Sequence, residues 1–244
     1  MMNEENFKRL CRRIDSYRDA MIDLQTVLSA VPAVGPENGG DGEWLKSELL
    51  KKRLIEMGFS NFRHYNVPDG RVSSGIRPNF ITSIEGKNKS RVIWIITHMD
   101  IVPPGELRLW SHDPYKVYVK DGKIYGRGVE DNQQDMVASL FAVKAFHDEG
   151  IKPNYDVGIA LVADEETGSS KGIDYVLKNS RAFRKQDLII VPDAGDENGT
   201  LIEVAEKSIL WLRFKTLGKQ AHGSTPEKGI NSFKAASFLI TEFE

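Results

Sequence analysis

Cysteine is almost absent: Cys11 is the only one in 244 residues. No disulfide can form within the chain, and zinc sites or iron–sulfur clusters built from its own thiolates are excluded. Any metal has to be held by His, Asp and Glu. A surplus of charge is lacking too. Thirty-three Lys and Arg against thirty-five Asp and Glu leave a net charge of −2, without the basic excess that binds polyanions, so nucleic acid is not an expected partner. There is no long apolar run. VIWII and GIALVA fall far short of the roughly 18 residues that span a bilayer. The opening MMNEENFKRLCRRID is charged throughout and has no apolar core of the kind a secretory signal needs. These absences predict a cytoplasmic protein with no membrane partner.

What is present is the balance of a soluble folded chain, with 40% hydrophobic and 28% charged residues, 21 Gly and 10 Pro. The length suits one large domain, or one domain and part of another. Phe7, Leu10, Ile14, Tyr17, Met21, Leu24 and Leu28 recur at spacings of three and four, which predicts one amphipathic helix over residues 4–30, stopped by Pro32. Cys11 lies beside that stripe and reads as a buried, inert thiol. After a Gly/Pro loop, Asp41 is the expected N-cap of a second helix carrying Leu45, Leu49, Leu54 and Met57, and Gly58 is placed to end it.

Strand-like runs follow at 79–84, 92–97, 116–119, 156–163 and 187–191, several apolar on successive residues as in a sheet covered on both faces. Helical segments at 133–149 and 172–179 lie between them. The alternation predicts an α/β fold: a largely parallel mixed sheet flanked by helices. From Ser208 to Leu217 the pattern alternates as a half-buried strand, and residues 231–243 read as a helix that ends with the chain. Residues 1–205 are therefore read as the greater part of one domain, and 206–244 as the first part of a smaller α+β domain that the chain does not complete.

Acidic and imidazole groups gather where apolar runs end. VIWIITHMD, VGIALVADEE and DLIIVPD each deliver an acid to the carboxyl edge of a parallel sheet, where ligands bind. Such a crowd of carboxylates raises its own proton affinity unless cations neutralise it. Imidazole and carboxylate without thiolate suit zinc, with cobalt or manganese as alternatives. His98 and Asp100 stand two residues apart, on one side of an extended backbone, so Asp100 can steady the ring from behind. Glu165 and Glu166 can serve one site only if the chain turns there, as Thr167, Gly168 and Ser169 permit. One of the pair can then bind metal while the other moves a proton.

In order, the segments THMDIVPPG, YGRGVEDNQQD, ADEETGS, VPDAGD and QAHGSTPEKGINS resemble the co-catalytic metallopeptidase family of aminoacylases, acetylornithine deacetylases, succinyl-diaminopimelate desuccinylases and carnosinase-like dipeptidases. The resemblance implies two divalent ions held by His98, Asp131, Glu166 and Asp193, with Asp131 between them and Asp100 steadying His98. It implies Glu165 as general base and acid, and a cis peptide after Asp131. It also implies a lid and dimerisation domain whose His222 stabilises an oxyanion, often from the other subunit of a homodimer. Its substrates are small N-acyl amino acids or dipeptides, and its last metal ligand is a histidine farther along than this sequence runs. Gln133-Gln134 stand where many relatives have Lys and then Gly. Arg127, in GRG, reads as half of a structural salt bridge, with a substrate carboxylate as the other possibility. The competing reading is a non-catalytic metal- or ligand-binding relative of the same fold.

Overall fold

A computed structural model of the chain describes residues 2–196, 198–205, 210 and 212–243. The chain divides into two compact units, Met1–Leu201 and Ile202–Glu244. In the first unit the helices are α1 (Glu4–Asp15), α2 (Arg18–Ser29), α3 (Trp44–Glu56), α4 (Asp135–Asp148) and α5 (Ile173–Asn179). Its strands are β1 (Arg63–His64), β2 (Val67–Pro68), β3 (Ile76–Arg77), β4 (Phe80–Ile84), β5 (Asn88–His98), β6 (Tyr118–Lys120), β7 (Lys123–Tyr125), β8 (Tyr155–Val162) and β9 (Leu188–Ile190).

Five strands form one sheet in the order β1-β4-β8-β5-β9. β8, β5 and β9 pair in parallel, while β4 is antiparallel to both its neighbours and so runs against the other four strands. This is the largely parallel mixed sheet that the alternation predicts. β2–β3 and β6–β7 are separate antiparallel pairs.

Side-chain alternation sorts the sheet residues to two faces. Phe80, Ile159 and Leu161 pack with Leu10 of α1, Leu24 and Leu28 of α2, Leu50 and Leu54 of α3, and Met136 and Leu140 of α4. On the opposite face Ile81, Trp94, Ile96, Ala160 and Val162 pack with Val176 of α5. Each large apolar side chain so buried contributes about 1.5–3 kcal/mol relative to exposure. β8 is covered on both faces along its last six residues, whereas β9, the edge strand, exposes Leu188, Ile189 and Ile190 by about half. For β9, an apolar run therefore does not mean two covered faces.

Several local expectations are corrected. The helix expected over residues 4–30 is broken into α1 and α2 at Ser16-Tyr17, where the Ser16 hydroxyl donates to the Arg13 carbonyl at 2.6 Å. Just beyond the break the Tyr17 hydroxyl donates to Asp148 of α4 at 2.6 Å, which anchors the bend to the body of the unit. Phe7, at the outer end of the stripe, is exposed, and Cys11 is only partly buried. Asp41 does not cap α3. It accepts from the backbone and hydroxyl of Ser73, and Glu43 takes the capping position without a side-chain cap bond, because its carboxylate is engaged by buried Arg77. Gly58 does end α3, at φ +94°, a conformation that side chains with a Cβ rarely adopt.

In the second unit, α6 (Ser232–Glu242) is capped by Asn231, whose side chain accepts from Lys234 N at 3.1 Å. Residues 208, 209 and 211 of the expected strand lie outside the described residues. Among the described residues, 212–217 form no strand, and a bridge just beyond them joins Lys219 to Ile230. Among the described residues, no helix is long and apolar enough to cross a membrane.

Candidate active site

β5 ends at His98, and its parallel partner β8 ends opposite, with His98 in register with Val162. The turns that leave both strands, and the turn after β9, carry the acidic residues. His98 is buried, its side chain only 2% exposed. Its Nδ1 lies 3.0 Å from the Asp100 backbone oxygen. A carbonyl can only accept, so Nδ1 donates to it, which leaves Nε2 facing the site. Facing that nitrogen are Asp131 Oδ1 at 3.0 Å, Asp193 Oδ1 at 3.5 Å and Glu165 Oε2 at 4.0 Å.

The Asp100 side chain has a task that the spacing did not disclose. It is buried, and its carboxylate stands 3.5 Å from His98 Nδ1, farther than its own backbone oxygen. Its two oxygens accept from the backbone N–H of Glu165 at 3.1 Å and of Glu166 at 3.0 Å. Asp100 thus ties the end of β5 to the turn after β8 and satisfies two donors that would otherwise be left open.

That turn, a single 3-10 turn at Glu165–Thr167, follows Asp164 at φ +64°. Asp164 is buried and accepts from Thr167 Oγ1, from Ser170 Oγ at 3.3 Å and from Lys171 N at 2.8 Å. Its Oδ1 lies 3.5 Å from Nη1 of Arg77, a fully buried guanidinium paired with equally buried Glu43. Asn79 braces the same segment, accepting from Ala163 N and donating to Lys171 O, both at 2.9 Å.

Asp131 reaches the site by another device. Gly128, at φ +78°, packs so closely that an added Cβ would lie 2.5 Å from Ile101 Cγ2. The Asp131–Asn132 peptide is cis, as the resemblance implies. Asn132 accepts from His98 N at 3.3 Å and donates to the Pro192 carbonyl at 3.3 Å, so it spans the ends of β5 and the Asp193 turn. Behind it, fully buried Lys46 donates to Gln133 at 3.2 Å, and Gln133 donates to Ser29 at 2.7 Å.

His98, Asp131 and Asp193 each offer a ligand atom within 4.8 Å of the others. Glu166 is not among these three: its Oε1 accepts from Val102 N at 3.1 Å. His222 belongs to the second unit, where its ring bonds Ser224 Oγ at 2.8 Å. Asn132, Asp164, Arg77, Asn79 and Lys46 were not singled out from the sequence. Two of them left a trace there, Asp164 as the residue before the paired glutamates and Asn132 as the residue after the expected cis peptide.

The electrostatics show what the donor set demands. Burial disfavours a charge on His98, yet its bonds to Asp100, Asp131 and Asp193 push its pKa up to about 12. Burial and then Asp131 push Glu166 up to about 7. Burial, with Asp193, Asp100 and Asp131 in support, raises Glu165, and burial with Asp193 pushes Asp135 up to about 6. These carboxylates crowd one another and hold positive charge tightly. One imidazole nitrogen and several carboxylate oxygens around a common point suit a divalent cation such as zinc.

Residues 94–222 match the profile of peptidase family M20/M25/M40, and residues 204–244 match that of the peptidase dimerisation domain. This chain belongs to peptidase family M20. An uncharacterized metallohydrolase of Methanococcus maripaludis is 45% identical over 89% of this chain and 54% of its own length. A succinyl-diaminopimelate desuccinylase of Delftia acidovorans is 30% identical over 91% of this chain and 56% of its own length. The M20 chain thus spans about half the length of the curated relatives it matches. Human carnosine dipeptidase 1 shares the fold, with a TM-score of 0.65 at 21% identity over 79% of this chain and 42% of that one.

Proposed function

We propose that this M20 chain supplies the metal centre and proton-transfer group of a hydrolase that cleaves the amide bond of small N-acyl amino acids or dipeptides. The observation that carries the reading is the meeting of His98, Asp131 and Asp193 ligand atoms within 4.8 Å of one another. His98 and Asp193 would hold one divalent ion, Glu166 a second, and Asp131 would stand between the two. Zinc is the first choice, with cobalt or manganese as alternatives. When bound, the pair supplies Lewis acidity toward the scissile carbonyl and the attacking water.

The chain's own groups do the rest. His98 turns Nε2 inward because Nδ1 donates to the Asp100 backbone oxygen. Asp100 orients the Glu165-Glu166 turn through its two backbone N–H groups. The Glu165 carboxylate lies half-exposed 4.0 Å from His98 Nε2, its proton affinity raised by burial and by neighbouring acids. It takes a proton from water at a carboxylate oxygen and passes it to the leaving nitrogen. His222 donates to the developing oxyanion, and the match of residues 204–244 to a dimerisation domain supports a homodimer. The test uses the complete protein: metal content, and release of free amino acid from N-acyl amino acids and dipeptides, for native and Glu165→Ala forms. Turnover that survives loss of Glu165 overturns the proton-transfer role. A protein that binds no metal and hydrolyses neither substrate series favours a non-catalytic relative.

A further inference from the structure

A cavity of about 500 Å³ shares Asp131 with the candidate centre, and its lining includes Gly128, Trp110, Tyr118, Tyr125 and Arg127. Two of the lining rings, Tyr118 and Tyr125, stack at 4.8 Å between ring centroids. Arg127 is the unusual member. It was expected in a structural salt bridge, yet its side chain makes no ion pair among the described residues, and its Nε is buried without a hydrogen-bond partner. The guanidinium lies instead over the Trp110 ring, 5.5 Å from the centroid. A ring face holds a guanidinium in position while leaving its in-plane N–H donors free. Arg91 has a buried, unpartnered Nε as well, and rests over Tyr155, but it lines no part of this cavity.

The cavity as a whole has no positive surplus, since Lys123 and Arg127 share its lining with Asp113, Glu130 and Asp131. Non-directional attraction for an anion is therefore weak. A planar fork with unpaired donors is different, because it meets a carboxylate through parallel N–H···O bonds. We propose that Arg127, laid on Trp110, receives a carboxylate of the substrate in this cavity next to the metal centre. The proposal rests on the amide-hydrolase reading above and adds to it a residue that sets which substrates are accepted. The carboxylate has two possible sources, an acidic acyl group or the α-carboxylate of the amino acid.

The test separates them in the complete protein, with native, Arg127→Met and Arg127→Lys forms. One arm compares N-succinyl with N-acetyl derivatives of one amino acid. The other compares an N-acyl amino acid with its carboxamide. Arg127→Met raises KM at least tenfold for the carboxylate member of one arm, while the neutral member stays within twofold. Arg127→Lys keeps the charge without the fork and raises KM at least threefold on the same arm, which carries the test if the Met form does not fold. Calorimetric titration with the amino-acid product, or with succinate for the acyl arm, shows the same selective weakening. Equal losses on charged and neutral members assign Arg127 a structural role and overturn the proposal, as does no loss on either. A native protein that binds no zinc and cleaves neither series defeats the hydrolase reading itself, and the proposal with it. That result is distinct from an active enzyme indifferent to Arg127.

Discussion

The two sides of the candidate site are built on opposite principles. Behind it, His98, Asp100, Asn132, Gln133, Lys46, Arg77, Glu43 and Asp164 are all buried. Nearly every polar group there has a partner on another segment. In front, the Asp131 side chain is 56% exposed, Glu165 43% and Asp193 29%. These groups crowd one another around His98, the one cation that faces them among the described residues. The contrast teaches a division of work: satisfied, buried polar groups hold the geometry, and unsatisfied, half-exposed ones are left with affinity to spend on a ligand.

The division can be broken from either side. The largest effect is expected from Glu165→Gln at the front: turnover in the complete protein falls about 10²- to 10⁴-fold, the range of a lost general base. Metal content and thermal midpoint stay at native values. At the back, Arg77→Met strands the buried Glu43 carboxylate and lowers unfolding stability in urea by about 3–5 kcal/mol. A change below about 1 kcal/mol there would remove the distinction between the two sides. Asp193→Asn sharpens it. Zinc affinity by competition titration falls at least about tenfold, or about 1.4 kcal/mol, while the metal-free protein loses only the pairing with His98 that holds the Asp193 carboxylate below its ordinary pKa.

The last effect is spread over a range of pH. Burial depresses Lys46 from its ordinary value of 10.5 to about 8. Between those values the unfolded chain holds the Lys46 proton and the folded one has released it, so stability rises with pH through that window. Below about 8 both states are protonated and the Lys46 contribution no longer changes. Urea unfolding from pH 7.5 to 10.5 checks this: Lys46→Met flattens the rise, and an unchanged slope assigns it to other groups.

How much of this was legible in the sequence depends on the range of the interaction. Apolar runs ending in HMD, DEE and PD disclosed three strand ends on one edge, because burial and side-chain period are local signals. The back of the site was not legible. Arg77 meets Glu43, and Asp100 meets the Glu165 and Glu166 amides, across dozens of residues, and nothing in either segment alone announces the pairing. The same limit explains Asp41, a good N-cap by type that binds Ser73 instead. It also explains the break at Ser16, since helical periodicity runs unchanged through a bend anchored by Asp148. The backbone oxygen that turns His98 Nε2 toward the site is invisible to any reading of side chains.

The parallel pairing of β5 with β8 has a consequence for how this protein could be altered. Parallel neighbours cannot be joined by a tight hairpin, so the whole of residues 99–154 travels out from one strand and back to the start of the other. That excursion carries the Arg127 wall, the Asp131 bend and α4. Lengthening it at the Asp121-Gly122 tip, between β6 and β7, would enlarge or reshape the chamber without shifting His98 against Val162. Diversity in what the chamber admits can therefore accumulate at that tip while the alignment of the reacting groups stays fixed.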